Sequence, residues 1–543
     1  MYKSSVFSLV VLAAVDERRQ VVMWDRRLTG WMLLAVVLLT AGRGVTHETA
    51  SFEDPAGGIT SNEVQWPGQV GTTSPWTADT GKATSTESAS CPVGCDCFNS
   101  YETVDCSRRG LKTLPPLHNA TRRLYLEDNR LVSLDAGLRQ AAQLTLLIVE
   151  RNSLERVDVA ESLCGLTRIQ ELNLAANRIR SFQVASGTRS AVSEAARCRA
   201  PVLKEINLSL NLLTSVPRNL SEFAPNLEIL NLSYNEIDSA TLDDSYAAMT
   251  SLRYLDLSRN RIHQLTADDF DEVAGTGVPL EILSLVECGL VQVDEDALAD
   301  LVNLTSLGLA NNPLHQDTLT IVLARIGRQR PGNWSYDDLE SHAADVEVEE
   351  HTCPTSDSQL IRLDISEIIL ANLTVDAVGG FSRLVVLDAS YCELQRVDPR
   401  LFDCVPELET LHLEGGRLER LENLPALRRL RRLHLQENRL TTAVDLTGID
   451  GLESIDLSRN RIETIPSQWL SGTRGLQIVN LSHNLITAIE PDAFQQVKQS
   501  SSVRITRSLF CFLLYVLIVL KLCIFSFLFF LHCVIVYTFT HVC

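Results

Sequence analysis

The 543-residue sequence has few aromatic side chains and fewer basic than acidic ones. Aromatic residues make up 6% of the chain, and 48 lysines and arginines against 68 aspartates and glutamates give a formal net charge of −20. A nucleic-acid binder needs a basic face to displace the counterions of phosphate groups, so this balance argues against that class. The chain is 45% hydrophobic, which is enough for a folded core and argues against disorder along its whole length.

The sequence also lacks the short motifs that carry common catalytic chemistry. It contains no H-E-x-x-H, no G-x-S-x-G, no P-loop and no G-x-G-x-x-G. Histidines, the usual general acids and bases, number only 11. We therefore predict a protein that is not an enzyme and that needs no cofactor.

A short apolar run with charged and small flanks lies near the N terminus. Two arginines precede the run 31–39 and small residues follow it, which is the order of a secretory signal peptide. We predict that residues 1–45 are an N-terminal extension and signal peptide, with the native start at Met23; an uncleaved anchor is the alternative. Residues 46–90, rich in Ser, Thr and Gly, are predicted to be a disordered linker.

The C-terminal end is almost entirely apolar from residue 509 to residue 540. This run is long enough to cross a bilayer as a transmembrane helix, although Lys521 at the bilayer centre would cost about 3 kcal/mol. The alternative is a mistranslated intron, because thymine-rich non-coding sequence encodes the same residue types and residues 496–498 can be written with a splice donor. Residues 498–543 are therefore either a transmembrane helix or a mistranslated intron, and the sequence does not decide between them.

One pattern recurs between the two ends: Leu-x-x-Leu-x-Leu-x-x-Asn-x-Leu. It is clearest in LEILNLSYNEI, LRYLDLSRNRI and LESIDLSRNRI, and it repeats in about 14 units, most of them 22 to 25 residues apart. This period is that of leucine-rich repeats. The asparagine position holds Asn129, Asn152, Asn177, Asn211, Asn235, Asn260, Cys288, Asn312, Ile368, Cys392, Gly416, Asn438, Asn460 and Asn484.

The pattern predicts a short strand in each unit, with alternate residues facing a core that only stacked units can close. The fold class is therefore an α/β solenoid, a right-handed horseshoe with parallel strands on its concave face and irregular or short helical segments on its convex side. The asparagine side chains can satisfy the buried backbone where it turns. Cys288 and Cys392 are predicted to be buried free thiols, and Phe270, Phe402 and Phe494 to form a convex spine.

The segment CPVGCDC, followed by Cys106 and LKTLPPLHNATRRLYLEDNRL, resembles the cysteine-rich N-terminal cap of extracellular leucine-rich-repeat proteins. Toll-like receptors, Slit, chaoptin and connectin are of this type. The resemblance implies a cap over 91–120 with disulfides Cys91–Cys97 and Cys95–Cys106, followed by repeats over 121–497. Such ectodomains commonly end in a second cysteine cap, which is not apparent in this sequence.

Two units are stretched, which indicates insertions near 181–202 and 315–358. Cys164 and Cys198 flank the first insertion, and a bridge between them is reasonable in an oxidising compartment. Cys353 lies in the second insertion, and Cys404 is a candidate partner for it, although spacing alone cannot set connectivity.

Eight Asn-x-Ser/Thr sequons predict glycosylation of a secreted chain. They are Asn119, Asn207, Asn219, Asn231, Asn303, Asn333, Asn372 and Asn480. Asn207, Asn231 and Asn480 lie between the two core leucines of a strand, so we expect them on the concave face. Glycans there would block protein ligands.

The same outward position carries ionisable residues in other units, and these are our candidates for contacts on the concave face. They are Asp256, Asp364, Asp388, His412, His434 and Asp456. The carboxylates can bind a cation or a basic partner, and adjacent histidines can bind a metal or sense pH. A solvated polar face is the simpler interpretation, and we assign no metal site.

These features together favour extracellular recognition of a protein partner, without chemical turnover. We expect a cell-surface receptor or adhesion-type glycoprotein, with a secreted decoy or carrier and a homophilic adhesion protein as alternatives. The predicted partner is a protein, which can be a second copy of the chain, and not nucleic acid. Contact with a membrane through the tail depends on the tail being native. The predicted location is the cell surface or the extracellular space.

Overall fold

A computed structural model describes the part of the chain that holds the cap and the repeats. The described residues are 91–134, 137–138, 141–184, 198–274, 277–327, 353–354, 358–494 and the backbone of 502–504. The predicted signal peptide and linker, Asn333 and most of the apolar tail lie outside these residues, and the domain boundaries there stay predictions. No helix among the described residues is long and apolar enough to cross a bilayer.

Most described repeat units contain a three-residue strand whose middle residue is buried, and several units contain a second strand of two or three residues. The strands are β1 (Asp96–Phe98), β2 (Thr103–Asp105), β3 (Arg123–Tyr125), β4 (Leu146–Ile148), β5 (Arg156–Asp158), β6 (Glu171–Asn173), β7 (Ser181–Gln183), β8 (Glu205–Asn207), β9 (Ile229–Asn231), β10 (Tyr254–Asp256), β11 (Gln264–Leu265), β12 (Ile282–Ser284), β13 (Gln292–Val293), β14 (Ser306–Gly308), β15 (Arg362–Asp364), β16 (Asn372–Leu373), β17 (Val386–Asp388), β18 (Arg396–Val397), β19 (Thr410–His412), β20 (Arg432–His434), β21 (Ser454–Asp456), β22 (Thr464–Ile465), β23 (Ile478–Asn480), β24 (Ala488–Ile489) and β25 (Ser502–Arg504).

Helices are few and short among the described residues, and most of them are single turns that connect one unit to the next. The α-helices are α1 (Leu220–Phe223), α2 (Gln316–Gly327), α3 (Val375–Val378) and α4 (Leu401–Cys404). One π-helical turn (Val159–Leu163) and three 3₁₀ turns (Tyr246–Ala248, Ala267–Asp269 and Leu424–Ala426) complete the set.

Seventeen of the described strands form one main sheet. Strands β1 and β2 pair antiparallel, and each later neighbour is parallel. The order along the sheet is β1, β2, β3, β4, β6, β8, β9, β10, β12, β14, β15, β17, β19, β20, β21, β23 and β25. The register brings Leu230, Leu255 and Leu283 side by side, one per unit. The predicted solenoid with a parallel sheet is therefore confirmed.

The core is one apolar cluster that runs through all the described units. Its sheet-side leucines are fully buried, and burial of each such side chain contributes about 1.5–3 kcal/mol relative to exposure. Phe270 and Phe402 are buried on the side away from the sheet, and Phe494 packs there partly exposed. Four small parallel pairs line the units elsewhere: β5–β7, β11–β13, β16–β18 and β22–β24.

The chain leaves each strand through a left-handed residue directly before the asparagine position. The fourteen residues there have φ between 52° and 68°. They are Asp128, Arg151, Ala176, Leu210, Tyr234, Arg259, Glu287, Asn311, Glu367, Tyr391, Gly415, Glu437, Arg459 and His483. A non-glycine residue held in this region costs on the order of 1–3 kcal/mol, so each turn needs support from its surroundings.

Buried asparagines supply that support. In Asn235, Nδ2 donates to the carbonyl oxygens of Leu208 (3.0 Å) and Leu232 (2.9 Å), and Oδ1 accepts from the backbone N–H of Leu213 (3.0 Å). The equivalent three bonds form at Asn129, Asn152, Asn177, Asn211, Asn260, Asn312, Asn438, Asn460 and Asn484. Each asparagine thus joins its own turn to the preceding unit.

Two cysteines occupy the asparagine position as buried thiols. Sγ of Cys288 donates to the carbonyl oxygen of Leu257 at 3.2 Å, and Sγ of Cys392 donates to that of Ile365 at 3.1 Å. Burial raises the pKa of both thiols to about 12, so they stay protonated donors. A thiol therefore replaces one of the bonds that asparagine makes to the preceding unit.

Disulfides close the N-terminal cap and the two insertions. The cap contains Cys91–Cys97 and Cys95–Cys106 around the β1–β2 hairpin, which covers the first edge of the sheet. The other two bridges are Cys164–Cys198 and Cys353–Cys404. Four disulfides in one chain are typical of a protein that matures in an oxidising compartment.

We expect Asn235→Ala to lower the free energy of unfolding by about 2–4 kcal/mol. The substitution leaves a buried carbonyl of Leu208 and a buried N–H of Leu213 without a partner, and each such group costs about 1–3 kcal/mol. Urea unfolding of the full chain measures the loss. Asn226→Ala is the matched control, because exposed Asn226 makes a single bond to the carbonyl oxygen of Pro201. Equal losses in the two variants would contradict the role of the buried asparagine.

Candidate functional site: the outward face of the main sheet

The outward face of the main sheet carries two columns of side chains. Each strand places one residue before and one residue after its buried centre on this face, because side chains alternate along a strand. We call these the first column and the second column. In β9, for example, Ile229 belongs to the first column and Asn231 to the second.

The first column contains an acidic and apolar surface on six neighbouring strands, from β4 to β12. We call it the apolar–acidic patch. Its members, in register from strand to strand, are Leu146, Glu171, Glu205, Ile229, Tyr254 and Ile282. Tyr254 is buried and the other five are half-buried. None of these six residues was among the sequence-based candidates, which all belong to the second column.

The two glutamates of the patch lack a counter-charge. Glu171 and Glu205 lie side by side on β6 and β8, and neither makes an ion pair with any described residue. Burial raises the pKa of both carboxyl groups, and the charge of Glu171 raises that of Glu205 further. A positive group bound at this surface would stabilise both carboxylates and lower their pKa values.

The second column holds the aspartates predicted as contacts on the concave face, and the structure gives each an internal partner. Oδ1 of Asp388 accepts from the backbone N–H and the hydroxyl of Ser390, at 3.0 and 2.7 Å. Asp256 and Asp364 bond in the same way to the serines two residues further on, and Asp456 bonds to the N–H of Ser458. These carboxylates therefore stabilise the end of each strand.

The predicted histidine pair lies in this column on adjacent strands. The rings of His412 and His434 stack with centroids 4.3 Å apart and an angle of 9° between their planes. Glu414, which sequence analysis did not identify, lies 3.3 Å from Nδ1 of His412 through Oε1. Burial would lower the pKa of His412, but Glu414 and Asp388 raise it overall; burial and the neighbouring His412 lower the pKa of His434.

Three predicted glycan acceptors also lie in the second column. Oδ1 of Asn207, of Asn231 and of Asn480 accepts from the backbone N–H of the serine two residues further on. Elsewhere, the exposed acceptors are Asn119, Asn303 and Asn372, and Asn219 is half-buried. The eighth, Asn333, lies outside the described residues.

A known protein family has the same repeat as the units described above. The profile of the family described as leucine rich repeat matches residues 201–262 and 450–507. Both matched ranges lie within the stacked units, and the described units have the leucine-rich-repeat fold. The described cap disulfides fit the cysteine-rich N-terminal cap of the family's extracellular members. Leucine-rich-repeat proteins are a protein-binding family without enzymatic activity, which agrees with the prediction that this chain is not an enzyme.

Individual leucine-rich-repeat relatives match parts of the chain. Lumican from Coturnix japonica is 26% identical over 200 residues, which is 36% of this chain and 52% of lumican. Toll-like receptor 9 from Equus caballus is 26% identical over 343 residues, 59% of this chain and 30% of the receptor. A leucine-rich-repeat protein of Leptospira interrogans has the same fold with a TM-score of 0.54 and 19% identity, covering 74% of this chain and 94% of that one. The chain spans about half the length of the lumicans that it matches.

We expect Asp364→Asn to stabilise this leucine-rich-repeat protein at neutral pH. Burial, followed by the charge of Asp388, raises the pKa of Asp364 to about 6, whereas an aspartate in an unfolded chain titrates near ~3.9. The native state therefore holds this proton more tightly, and the contribution of Asp364 to the free energy of unfolding falls as the pH rises between about 4 and 6. The variant should lack this fall and gain up to about 3 kcal/mol at pH 7.

Urea unfolding at a series of pH values measures this effect. Asp445→Asn is the matched control, because exposed Asp445 makes the same turn, accepting from the N–H of Thr447. Both substitutions create a sequon, so the variants should be produced in a bacterial periplasm, where disulfides form. A pH profile of Asp364→Asn that equals the wild-type profile would contradict the assignment.

Proposed function

We propose that the chain is an extracellular glycoprotein that binds a basic protein partner on the apolar–acidic patch, as a cell-surface receptor or adhesion-type ectodomain. The observation that carries the proposal is the pair of half-buried glutamates without counter-charges beside Ile229 and Tyr254. An interface core is apolar and excludes water, and it strengthens a well-placed charge pair. A partner with lysine or arginine next to an apolar side chain fits this surface.

The covalent features support an extracellular location. Four disulfides, a predicted signal peptide and eight sequons are consistent with passage through an oxidising secretory compartment. The net charge of −20 favours encounter with a basic partner over long distances. Similarity to a protein named a Toll-like receptor agrees with a receptor-type role.

The patch argues against one of the alternatives. Homophilic adhesion through this surface would bring Glu171 and Glu205 of two copies together, and like charges across an interface are costly. A secreted carrier would use the same patch, so this surface does not separate a carrier from a receptor. Release of the chain into medium without detergent would favour the carrier.

A binding screen tests the proposal with the full chain against an array of secreted proteins and receptor ectodomains. We expect a partner that binds the double variant Glu171→Lys/Glu205→Lys at least about tenfold more weakly than it binds the wild type. Added salt should also weaken its binding to the wild type. Glu222→Lys/Asp244→Lys is the control, because it makes the same charge change at exposed residues outside the sheet. Partners that bind both double variants as they bind the wild type would overturn the proposal, and self-association would support the homophilic alternative.

Glycan occupancy gives an independent prediction. Asn207 and Asn231 lie on the same strands as Glu205 and Ile229, so glycans there would cover the patch. We expect these two acceptors to be unmodified and exposed Asn303 to be occupied. Enzymatic deglycosylation in ¹⁸O water followed by peptide mass spectrometry measures each site. Full occupancy at Asn231 would place the partner site elsewhere on the sheet.

A further inference from the structure

Three potential metal ligands meet on strands β19 and β20. His412, Glu414 and His434 each offer one nitrogen or oxygen atom, and these atoms lie within 4.8 Å of one another. We propose that these three side chains form a binding site for a transition-metal ion of the zinc class on the outward face of the sheet. The proposal does not depend on the protein-binding function proposed above.

The backbone holds the three ligands in place. His412 and His434 are directly paired residues of adjacent parallel strands, which lie about 4.8 Å apart. Glu414 follows His412 by two residues and its Oε1 already contacts the ring nitrogen of His412 at 3.3 Å. The distance between the histidines is therefore fixed by the sheet rather than by flexible loops.

Glu414 also has a buried oxygen atom that no described group satisfies. Oε2 of Glu414 is buried without a hydrogen-bond partner, and Glu414 as a whole is only 6% exposed. Oε1 of Gln436, in the same position of the next unit, is also buried and without a partner. A buried carboxylate oxygen without a partner is costly, and a bound cation would satisfy it.

The neighbouring repeats show that the fold does not require His412, Glu414 or His434. In the units on either side, the same positions hold Asp388 with Ser390 and Asp456 with Ser458, which bond to each other. The two central units have His-Leu-Glu and His-Leu-Gln in place of Asp-x-Ser. A strand end that aspartate and serine stabilise elsewhere therefore carries metal-binding side chains here.

The chemistry of the donors selects the ion. Two imidazoles and a carboxylate, with a water at the fourth position, are a common ligand set for Zn²⁺. Asp388 pairs with His412 and Asp456 pairs with His434 along the sheet, so an acidic residue flanks the site on each side. Arg362 and Arg432 also act on the site, since each lowers the pKa of one of the two histidines. His434 is partly exposed, so an ion can enter from solvent.

Binding requires a small rearrangement. A metal ion lies in the plane of each imidazole that binds it, whereas the two rings are now stacked and nearly parallel. One ring must turn about its Cβ–Cγ bond so that both nitrogens face the same ion. This torsion is broad, so the turn is inexpensive compared with the gain from coordination.

Zinc titration of the purified full-length chain in mild detergent, after removal of metals by a chelator, tests the proposal. We expect one Zn²⁺ per chain by calorimetry and, with Co²⁺ as the probe, visible absorption bands of a four-coordinate site. The double variant His412→Asp/Glu414→Ser restores the Asp-x-Ser pattern of the neighbouring units, so it should fold. We expect it to bind Zn²⁺ at least about 100-fold more weakly, since even residues outside the first coordination shell account for 10–100-fold.

Two further variants keep the outcome interpretable. Glu414→Gln preserves size and removes the carboxylate charge, and we expect at least about tenfold weaker binding. His315→Ala is the control, because exposed His315 lies away from the cluster beside Asp317, and its affinity should equal that of the wild type. Absence of stoichiometric Zn²⁺ binding, or unchanged binding by both cluster variants, would overturn the proposal.

Discussion

The hydrogen bonds of the buried asparagines are the interaction on which the rest of the structure depends. Every unit must turn out of its strand through a left-handed residue, and this conformation is unfavourable for thirteen non-glycine residues at that position. The turn also leaves backbone carbonyls and N–H groups in a core that excludes water. One asparagine satisfies groups of two successive units at once, so it fixes the turn and the stacking together.

Units without asparagine show which part of this interaction is indispensable. Cys288 and Cys392 keep one donor to the preceding unit, and Ile368 and Gly416 have no side-chain donor at all. All four keep the left-handed residue before them. At Gly415 a Cβ would lie 2.2 Å from Cδ1 of Tyr391, so any other residue there would require the Tyr391 ring to move. The stacked neighbours can therefore impose the turn where one unit lacks its own support.

The inward half of each unit could be predicted from the sequence because its physics is repetitive. Leucines that face the core and asparagines that satisfy the turn recur at fixed positions, and a single period reveals both. The Cys353–Cys404 pair is different, since 51 residues separate its members and only the stacking of units brings them together. Glu414 could not be predicted as part of a cluster either, because its position holds serine in many other units and only the structure shows its distance from the histidines.

The outward face is free to vary because the inward face determines the fold. Where a unit carries aspartate or asparagine followed by serine, the polar side chains satisfy each other and the strand end is complete. Such units show which polar side chains a strand end needs for folding alone. Glu414 replaces the serine of that pattern with a buried carboxylate that the strand end does not need. Glu171 and Glu205 lie at the starts of their strands, where burial raises the pKa of both carboxyl groups. A carboxylate that is costly to the folded chain alone becomes favourable once a cation, either a metal ion or a basic side chain, binds beside it.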